Sequence, residues 1–455
     1  MLKRLLNLFR PRPNTSEESD IDTLTAQAVV IPRDKHKVSR RNISPAALRV
    51  MRQLQDSGYE AYLVGGGVRD LLLGANPKDF DVATSAKPEE VRRLFRGARI
   101  IGRRFQIVHV RMGREIIEVT TFRGQEEDTA RQIRSDDGML LRDNVYGTLE
   151  SDAIRRDFTV NALYYNVKDF SLIDYCGGLR DIQKRRLRII GDPATRYKED
   201  PVRMLRALRF AAKLGFSIEE NTAKPINELS SLLLNVSEAR LFEEVLKLFL
   251  SGSATATFSL LREYDVLKHL FPGTDAAIKV SAPFMSELIE ISMANTDKRI
   301  RSGKTVTPAF IYAALLWPAL QLRYLQLEGQ GSPVQNWNQA AQDVISQQLT
   351  RTSIPKRFLI PMREIWDLQQ RLPNRLGMRA LRLLDHPRFR AAYDFLLMRE
   401  DAGEPLDGLG SWWTHYQAVG DEEREAMVKA LTQRPTGAKP RRRRPRKPRE
   451  AGSDS

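Results

Sequence analysis

Two carboxylates, Asp79 and Asp81, stand two positions apart in Lys78-Asp79-Phe80-Asp81-Val82. On a strand, residues at i and i+2 share one face. Two like charges held together are unfavourable unless a cation neutralises them. Hard oxygen ligands on a rigid element suit Mg²⁺, which keeps waters and shares its shell with substrate phosphates. Ions held this way can align an attacking hydroxyl with a leaving pyrophosphate. Surface strands often carry Asp-x-Asp, so the meaning of the pair depends on its surroundings.

Just upstream, Leu63-Val64-Gly65-Gly66-Gly67-Val68-Arg69-Asp70 reads as strand, glycine turn and helix start. Glycines let backbone N–H groups approach phosphate oxygens, and a helix N-terminus favours an anion. Arg69 can add charge to a triphosphate or buttress the turn. An ordinary tight turn is the alternative. A dinucleotide fingerprint is excluded, because Asp70 stands where its third glycine should be. A P-loop is excluded because no Gly-Lys-Ser/Thr follows.

These residues need elements to place them. Ser44 as N-cap and Pro45 at N1 open a helix whose Ala47, Leu48, Met51 and Leu54 share a face, and Gly58 ends it. Strands are expected over 59–64, 79–83, 105–112 and 115–122, with helices over 68–73 and 88–95. The charged, aperiodic stretch 124–143 predicts a mobile loop, and a further strand is expected around Leu172 and Ile173. Past Asp192 the spacing turns helical, over 200–214, 238–250, 309–321, 358–371 and 378–399. Glu118 falls on the strand expected over 115–122, a further carboxylate of the kind that suits metal ligation.

Taken together, Gly65-Gly66-x-Val68-Arg69-Asp70 and Asp79-x-Asp81 resemble the head of the class II nucleotidyltransferases of the polymerase β superfamily, which comprise bacterial poly(A) polymerases and CCA-adding tRNA nucleotidyltransferases. Three further stretches follow in the family's order: Ile117 to Arg123, Arg155-Arg156-Asp157-Phe158-Thr159-Val160-Asn161, and Glu199-Asp200-Pro201-Val202-Arg203-Met204-Leu205-Arg206. The likeness runs from about 43 to 250. It implies an α+β fold, with a polymerase β-like nucleotidyltransferase head followed by a mostly α-helical neck and body. It also implies that Gly65, Gly66, Arg69 and Asp70 bind the nucleotide, and that Asp157 and Asn161 contact the ribose region. Asp200 and Arg203 would face the base, with Arg206 in support; a plain helix salt bridge from Glu199 or Asp200 to Arg203 is the alternative. Asp157 competes with Glu118 as third active-site carboxylate; a salt bridge to Arg155 or Arg156 is its structural alternative.

An Asp–Arg pair can accept from an exocyclic amino group and donate to a ring nitrogen. Adenine and cytosine present that order, while guanine and uracil present the reverse, so about 1–3 kcal/mol of discrimination per bidentate contact is available. The pair cannot separate ATP from CTP. Ile100-Ile101-Gly102-Arg103-Arg104-Phe105-x-Ile107-x-His109-Val110 resembles the stretch that marks poly(A) polymerases, and it tips the reading towards ATP-dependent addition to single-stranded RNA 3′ ends. CCA addition to tRNA is the alternative, and a non-catalytic RNA-binding protein is a third.

The rest of the chain fits a nucleic-acid partner. Its 455 residues carry 73 Lys and Arg against 57 Asp and Glu, a net charge of +16, which favours a polyanion. Nine of those cations fall within 434–449, among four prolines that forbid a helix. Such a basic tail is expected to follow an RNA backbone. The single cysteine, Cys176, excludes an internal disulfide and suits a reducing, cytoplasmic setting. No window is apolar enough to span a bilayer. The expected organisation is a loose arm over 1–40, a catalytic head over 41–190, a neck over 191–250, an RNA-binding helical body over 251–432 and a disordered tail over 433–455.

Overall fold

The computed structural model describes residues 28–102, 106–124, 132–134, 140–143 and 145–431. The first part of the arm, Arg103 to Phe105, and the basic tail lie outside the described residues. The chain divides into two compact units, one ending at Val236 and the next beginning at Ser237. The stretch expected to form a neck, 191–250, is therefore split between them.

The first unit is built on an eight-stranded mixed sheet. Its strands are β1 (Val29–Ile31), β2 (Ala61–Val64), β3 (Asp81–Thr84), β4 (Ala98–Ile101), β5 (Ile107–Met112), β6 (Glu115–Thr121), β9 (Leu163–Tyr165) and β10 (Leu172–Asp174). Across the sheet they run β1-β10-β9-β2-β3-β6-β5-β4. Only the β3–β6 pair is parallel. Two further strands, β7 (Gln132–Arg134) and β8 (Leu140–Asp143), pair antiparallel with each other. Their pairing places two strands within 124–143, the stretch read as a mobile loop: the backbone bonds to itself although the side chains show no period.

Register gives the sheet two different faces. Val64 pairs with Tyr164 and Asp81, Asp81 with Glu118, and Glu118 with His109. The adjacent row, Tyr165, Leu63, Val82, Val119 and Val108, points the other way and is almost wholly buried. Each such apolar side chain contributes about 1.5–3 kcal/mol on burial. The apolar row therefore fixes which face the polar row must occupy, since a one-residue slip would exchange them.

Several boundaries differ from expectation. β3 begins at Asp81, so Asp79 and Phe80 form the segment leading into it. The helix after the glycine turn is Gly66–Leu72, which takes Gly66 and Gly67 into its first turn. The helix Pro45–Asp56 forms as expected, with Ser44 Oγ accepting from Ala47 N. The expectation of a loose arm to residue 40 fails over Val29–Ile31, which adds a strand to the sheet edge through β10.

The second unit is helical from Glu238–Phe249 to Asp421–Ala430. Helix Pro308–Gln326 is buried along most of its length, and Leu372, Phe389, Trp413 and Tyr416 share a separate core cluster. The helix expected over 378–399 is two, Arg379–Leu384 and Phe389–Asp401. Pro387 lacks the amide needed to continue the first and disfavours a helical residue before it. Among the described residues no helix is long and apolar enough to cross a membrane.

Candidate active site

The polar row crosses five strands, and Asp81 and Glu118 are its centre. Asp81 stands at the first position of β3, half-buried, with Glu118 directly beside it on β6. Burial first, then the charges of Glu118 and Asp79, push the Asp81 carboxyl up to about 6, with Arg156 opposing them. Glu118 Oε1 is 3.4 Å from His109 Nε2 across the β5–β6 pair. Asp79 is exposed, and the neighbouring Phe80 is buried at 8% exposure. A side chain built on Gly67 would meet the Asp79 backbone oxygen at 3.5 Å and the Phe80 ring at 3.6 Å. The buried Phe80 thus pins the Asp79 backbone against the glycine turn.

Gly65 makes that turn possible. It sits at φ +75°, ψ −140°, a conformation that side chains rarely allow. A Cβ there would lie 3.6 Å from Asp81 Oδ2 and 3.8 Å from Arg156 Nη1. The turn, the carboxylate and the guanidinium therefore face one small space.

Arg156 is aimed by a buried hub that sequence reasoning missed. Its Nε donates to Asp152 Oδ2 at 3.1 Å and to Tyr164 Oη at 2.9 Å, while Nη2 donates to the same carboxylate oxygen at 3.0 Å. Tyr164 Oη donates to Asp152 Oδ2 at 2.6 Å, and the Arg123 backbone N–H donates to Oδ1 at 3.2 Å. The signal was present in the sequence: Asp152 and Arg156 are i and i+4 on helix Leu149–Arg155 and its C-cap.

A second buried chain joins five of the expected residues. Arg69, 3% exposed, donates from Nε and Nη2 to Asp70 Oδ1 and from Nη1 to Asn161 Oδ1 at 2.6 Å. Asn161 Nδ2 donates to Asp157 Oδ1 at 3.2 Å, and the Phe158 backbone N–H donates to the same oxygen. Asp157 Oδ2 accepts from Arg206 Nε at 2.7 Å and from its Nη2. Burial alone would raise the Asp157 carboxyl, but Arg206 and these hydrogen bonds hold it down at about 2. The Arg69 and Arg206 guanidinium carbons each lie 5.2 Å from the Phe210 ring centre. Arg69 therefore buttresses the turn, and Asp157 is paired with Arg206, not with Arg155 or Arg156.

Arg203 is held by Glu199 in this arrangement. Glu199 Oε2 accepts from Arg196 Nη1 at 2.7 Å and from Arg203 Nη1 at 2.8 Å. Asp200 caps helix Pro193–Glu199. Arg196 Nη2 reaches the backbone oxygens of Arg155 and Arg156 at 2.5 and 2.7 Å, tying this helix to the Arg-Arg-Asp segment.

The donor set suits a hard divalent cation. Asp79, Asp81 and Glu118 offer carboxylate oxygens, and burial, with the charges of Glu118 and Asp79 beside it, disfavours an ionised Asp81 that lacks a cation. Among the described residues no group of three acidic, imidazole or thiol side chains is arranged to hold a metal ion.

Comparison with known proteins adds a separate line of observation. Residues 61–188 match the family model described as poly A polymerase head domain. Residues 215–278 match the probable RNA and SrmB-binding site of polymerase A, and 329–448 match the polymerase A arginine-rich C-terminus. The chain is 46% identical over 466 aligned residues to poly(A) polymerase I of Escherichia coli O6:H1, covering 100% of both. It is 35% identical to the CCA-adding enzyme of Bacillus licheniformis over 280 residues, covering 62% of this chain and 66% of the relative. The Bacillus stearothermophilus CCA-adding enzyme in complex with CTP superposes with a TM-score of 0.54 and 26% identity, covering 86% of this chain and 84% of that one.

Proposed function

The chain belongs to the poly(A) polymerase family, and on that premise we propose that it transfers adenylate from ATP to the 3′ end of single-stranded RNA, releasing pyrophosphate. The observation that carries this reading is the 46% identity along the whole chain to a poly(A) polymerase, against a likeness to a CCA-adding enzyme that covers 62% of it. In the reaction, the RNA 3′-hydroxyl attacks the α-phosphate of ATP and the bond to pyrophosphate breaks.

Each part of the site has work in that scheme. Asp79 and Asp81, with Glu118 as third ligand, would hold a divalent cation, which we assign as Mg²⁺ and which would neutralise charge on the reacting phosphates. Gly65 and Gly66 bring backbone N–H groups close to the triphosphate. Arg156, fixed by Asp152 and Tyr164, places positive charge beside Asp81. Arg69 and Asp70 hold the turn in shape through Asn161. Asp157 and Asn161 border the ribose region, and Asp157 sets Arg206 beneath it. Asp200 and Arg203 read the adenine edge; because Glu199 holds Arg203 in place, Arg203 keeps a fixed direction as it donates to the ring nitrogen. The helical second unit and the basic tail bind RNA. A single cysteine, Cys176, leaves no internal disulfide, which supports a reducing, cytoplasmic setting.

The test is extension of an unstructured oligoribonucleotide with each nucleoside triphosphate supplied separately. Long products with ATP alone are expected. CTP use on a tRNA lacking its terminal CCA, without long adenylate products, would overturn the reading in favour of CCA addition.

A further inference from the structure

A basic cavity lies on the sheet face opposite Asp81. Tyr164 shares its row with Val64 and Asp81, whereas Tyr165 shares its row with Leu63 and Val82. Successive strand residues point to opposite faces, so Tyr165 projects away from the carboxylate row. The cavity has a volume of about 350 Å³ and is lined by Arg33, Ser39, Arg40, Arg41, Tyr165 and Phe170.

The loop that carries the arginines is held in place. His36 Nε2 is hydrogen-bonded to the Phe170 backbone oxygen at 2.9 Å, and Arg33 Nη1 donates to the His36 oxygen at 3.0 Å. The Arg40 guanidinium carbon lies 4.5 Å from the Phe170 ring centre. Among the described residues none of Arg33, Arg40 and Arg41 forms an ion pair. Arg33, Arg40 and Arg41 are solvent-exposed, with Asp34 as a neighbouring carboxylate, and together they present a positive surface that attracts an anion.

Tyr165 supplies the second observation. It is 0% exposed, and among the described residues its hydroxyl has no hydrogen-bond partner. A buried hydroxyl left unpaired is unfavourable, and such groups are nearly always satisfied. Burial raises the Tyr165 pKa, while Arg33 and Arg40 stand near enough to pull against it. The hydroxyl therefore sits within the field of the same cations. Asp169, whose charge also reaches Tyr165, accepts from Ser171 N at 3.0 Å and Ser171 Oγ at 2.7 Å through Oδ1.

We propose that this cavity is a phosphate-binding site separate from the nucleotidyl-transfer site, in which Arg33, Arg40 and Arg41 meet the phosphate oxygens and the Tyr165 hydroxyl donates to the same group. Planar guanidinium forks match phosphate geometry, and phosphate supplies the acceptor that the hydroxyl lacks. The cavity is larger than a phosphate ion needs and leaves room for a sugar. The phosphate comes either from the backbone of an RNA strand or from a free ion such as pyrophosphate.

Hydrogen exchange on the full chain tests the site, read on peptides spanning 33–43 and 163–172 with pyrophosphate or a short oligoadenylate as probe. Slowed exchange in both peptides is expected with at least one probe. Its disappearance in Arg40→Ala/Arg41→Ala, with kcat for adenylate addition unchanged, assigns the effect to this cavity. If the oligoadenylate is the ligand, the slope of log Kd against log salt also falls by about 0.7 for each phosphate that the variant no longer neutralises. If free phosphate is the ligand, pyrophosphate slows exchange and that slope stays as in the native chain. Tyr165→Phe should weaken the protecting probe roughly tenfold while leaving the ligand-free chain at least as heat-stable. No slowed exchange with either probe, slowing that survives the double substitution, or unchanged affinity in Tyr165→Phe overturns the proposal.

Discussion

Replacing Asp157 with Asn removes one charge from the hydrogen-bonded series that runs from Asp70 to Arg206. The size of the effect follows from the carboxyl itself. Its pKa is held at about 2 in place of 3.8, by Arg206 and the hydrogen bonds from Asn161 and Phe158. At about 1.4 kcal/mol per unit, the native fold gains roughly 2 kcal/mol from this carboxylate. A lowered carboxylate pKa stabilises above the unfolded value and loses that contribution as pH falls through the folded one. The contribution is therefore complete above about pH 4 and disappears by about pH 2. Arg206 is 32% exposed, so water softens the loss of its partner. Asp157→Asn should lower the opening free energy of helix Val202–Leu214 by about 2 kcal/mol near neutral pH. Native-state hydrogen exchange of that helix measures this without requiring the whole chain to unfold in one step. A cycle with Arg206→Met should recover most of it as coupling. Equal opening energies at neutral pH, or a difference that persists unchanged at pH 2, would refute the reasoning.

Gly65→Ala should cost about 1–3 kcal/mol in strain, because φ +75° disfavours a side chain; since the new methyl faces Asp81, kcat for adenylate addition should fall more than that strain explains, and a drop in the unfolding midpoint with kcat intact would count against this. Asp152→Asn leaves Arg156 short of its counter-charge and should destabilise the first unit by about 3–5 kcal/mol, against about 1 kcal/mol for Tyr164→Phe; thermal unfolding of the two variants side by side checks the order. Deleting 434–455 removes nine cations, so the slope of log RNA affinity against log salt should flatten while kcat at saturating RNA holds; fluorescence anisotropy across a salt series reads it, and an unchanged slope would show that the tail makes no phosphate contact.

The elements near the site were legible because local rules suffice for them. Ser44-Pro45 opens a helix and Gly58 closes one, each through a preference carried by one or two residues. The strand β1 was not legible: Val29–Ile31 is short, and only its pairing with Leu172–Asp174 makes it a strand. At the site, the sequence named Asp81 and Glu118 but could not give the register that sets them side by side. It named Asp157 and Arg206, but 49 residues separate them, and only the fold shows that they bind each other. Asp152 was missed because a helical Asp four residues before an Arg ordinarily means a solvent-exposed pair; Tyr164, coming from a strand, turns it into a buried hub.

The most direct measurement is extension of a labelled, unstructured oligoribonucleotide by the native chain and by Asp81→Asn, with ATP or CTP supplied alone. The native chain should build a long ladder with ATP and little with CTP, and Asp81→Asn should lower kcat on the order of a thousandfold while the protein keeps its fold and binds RNA. Undiminished ladders from Asp81→Asn would contradict the assignment of chemistry to the Asp81–Glu118 row, and a native chain that extends with CTP but not ATP would contradict polyadenylation itself.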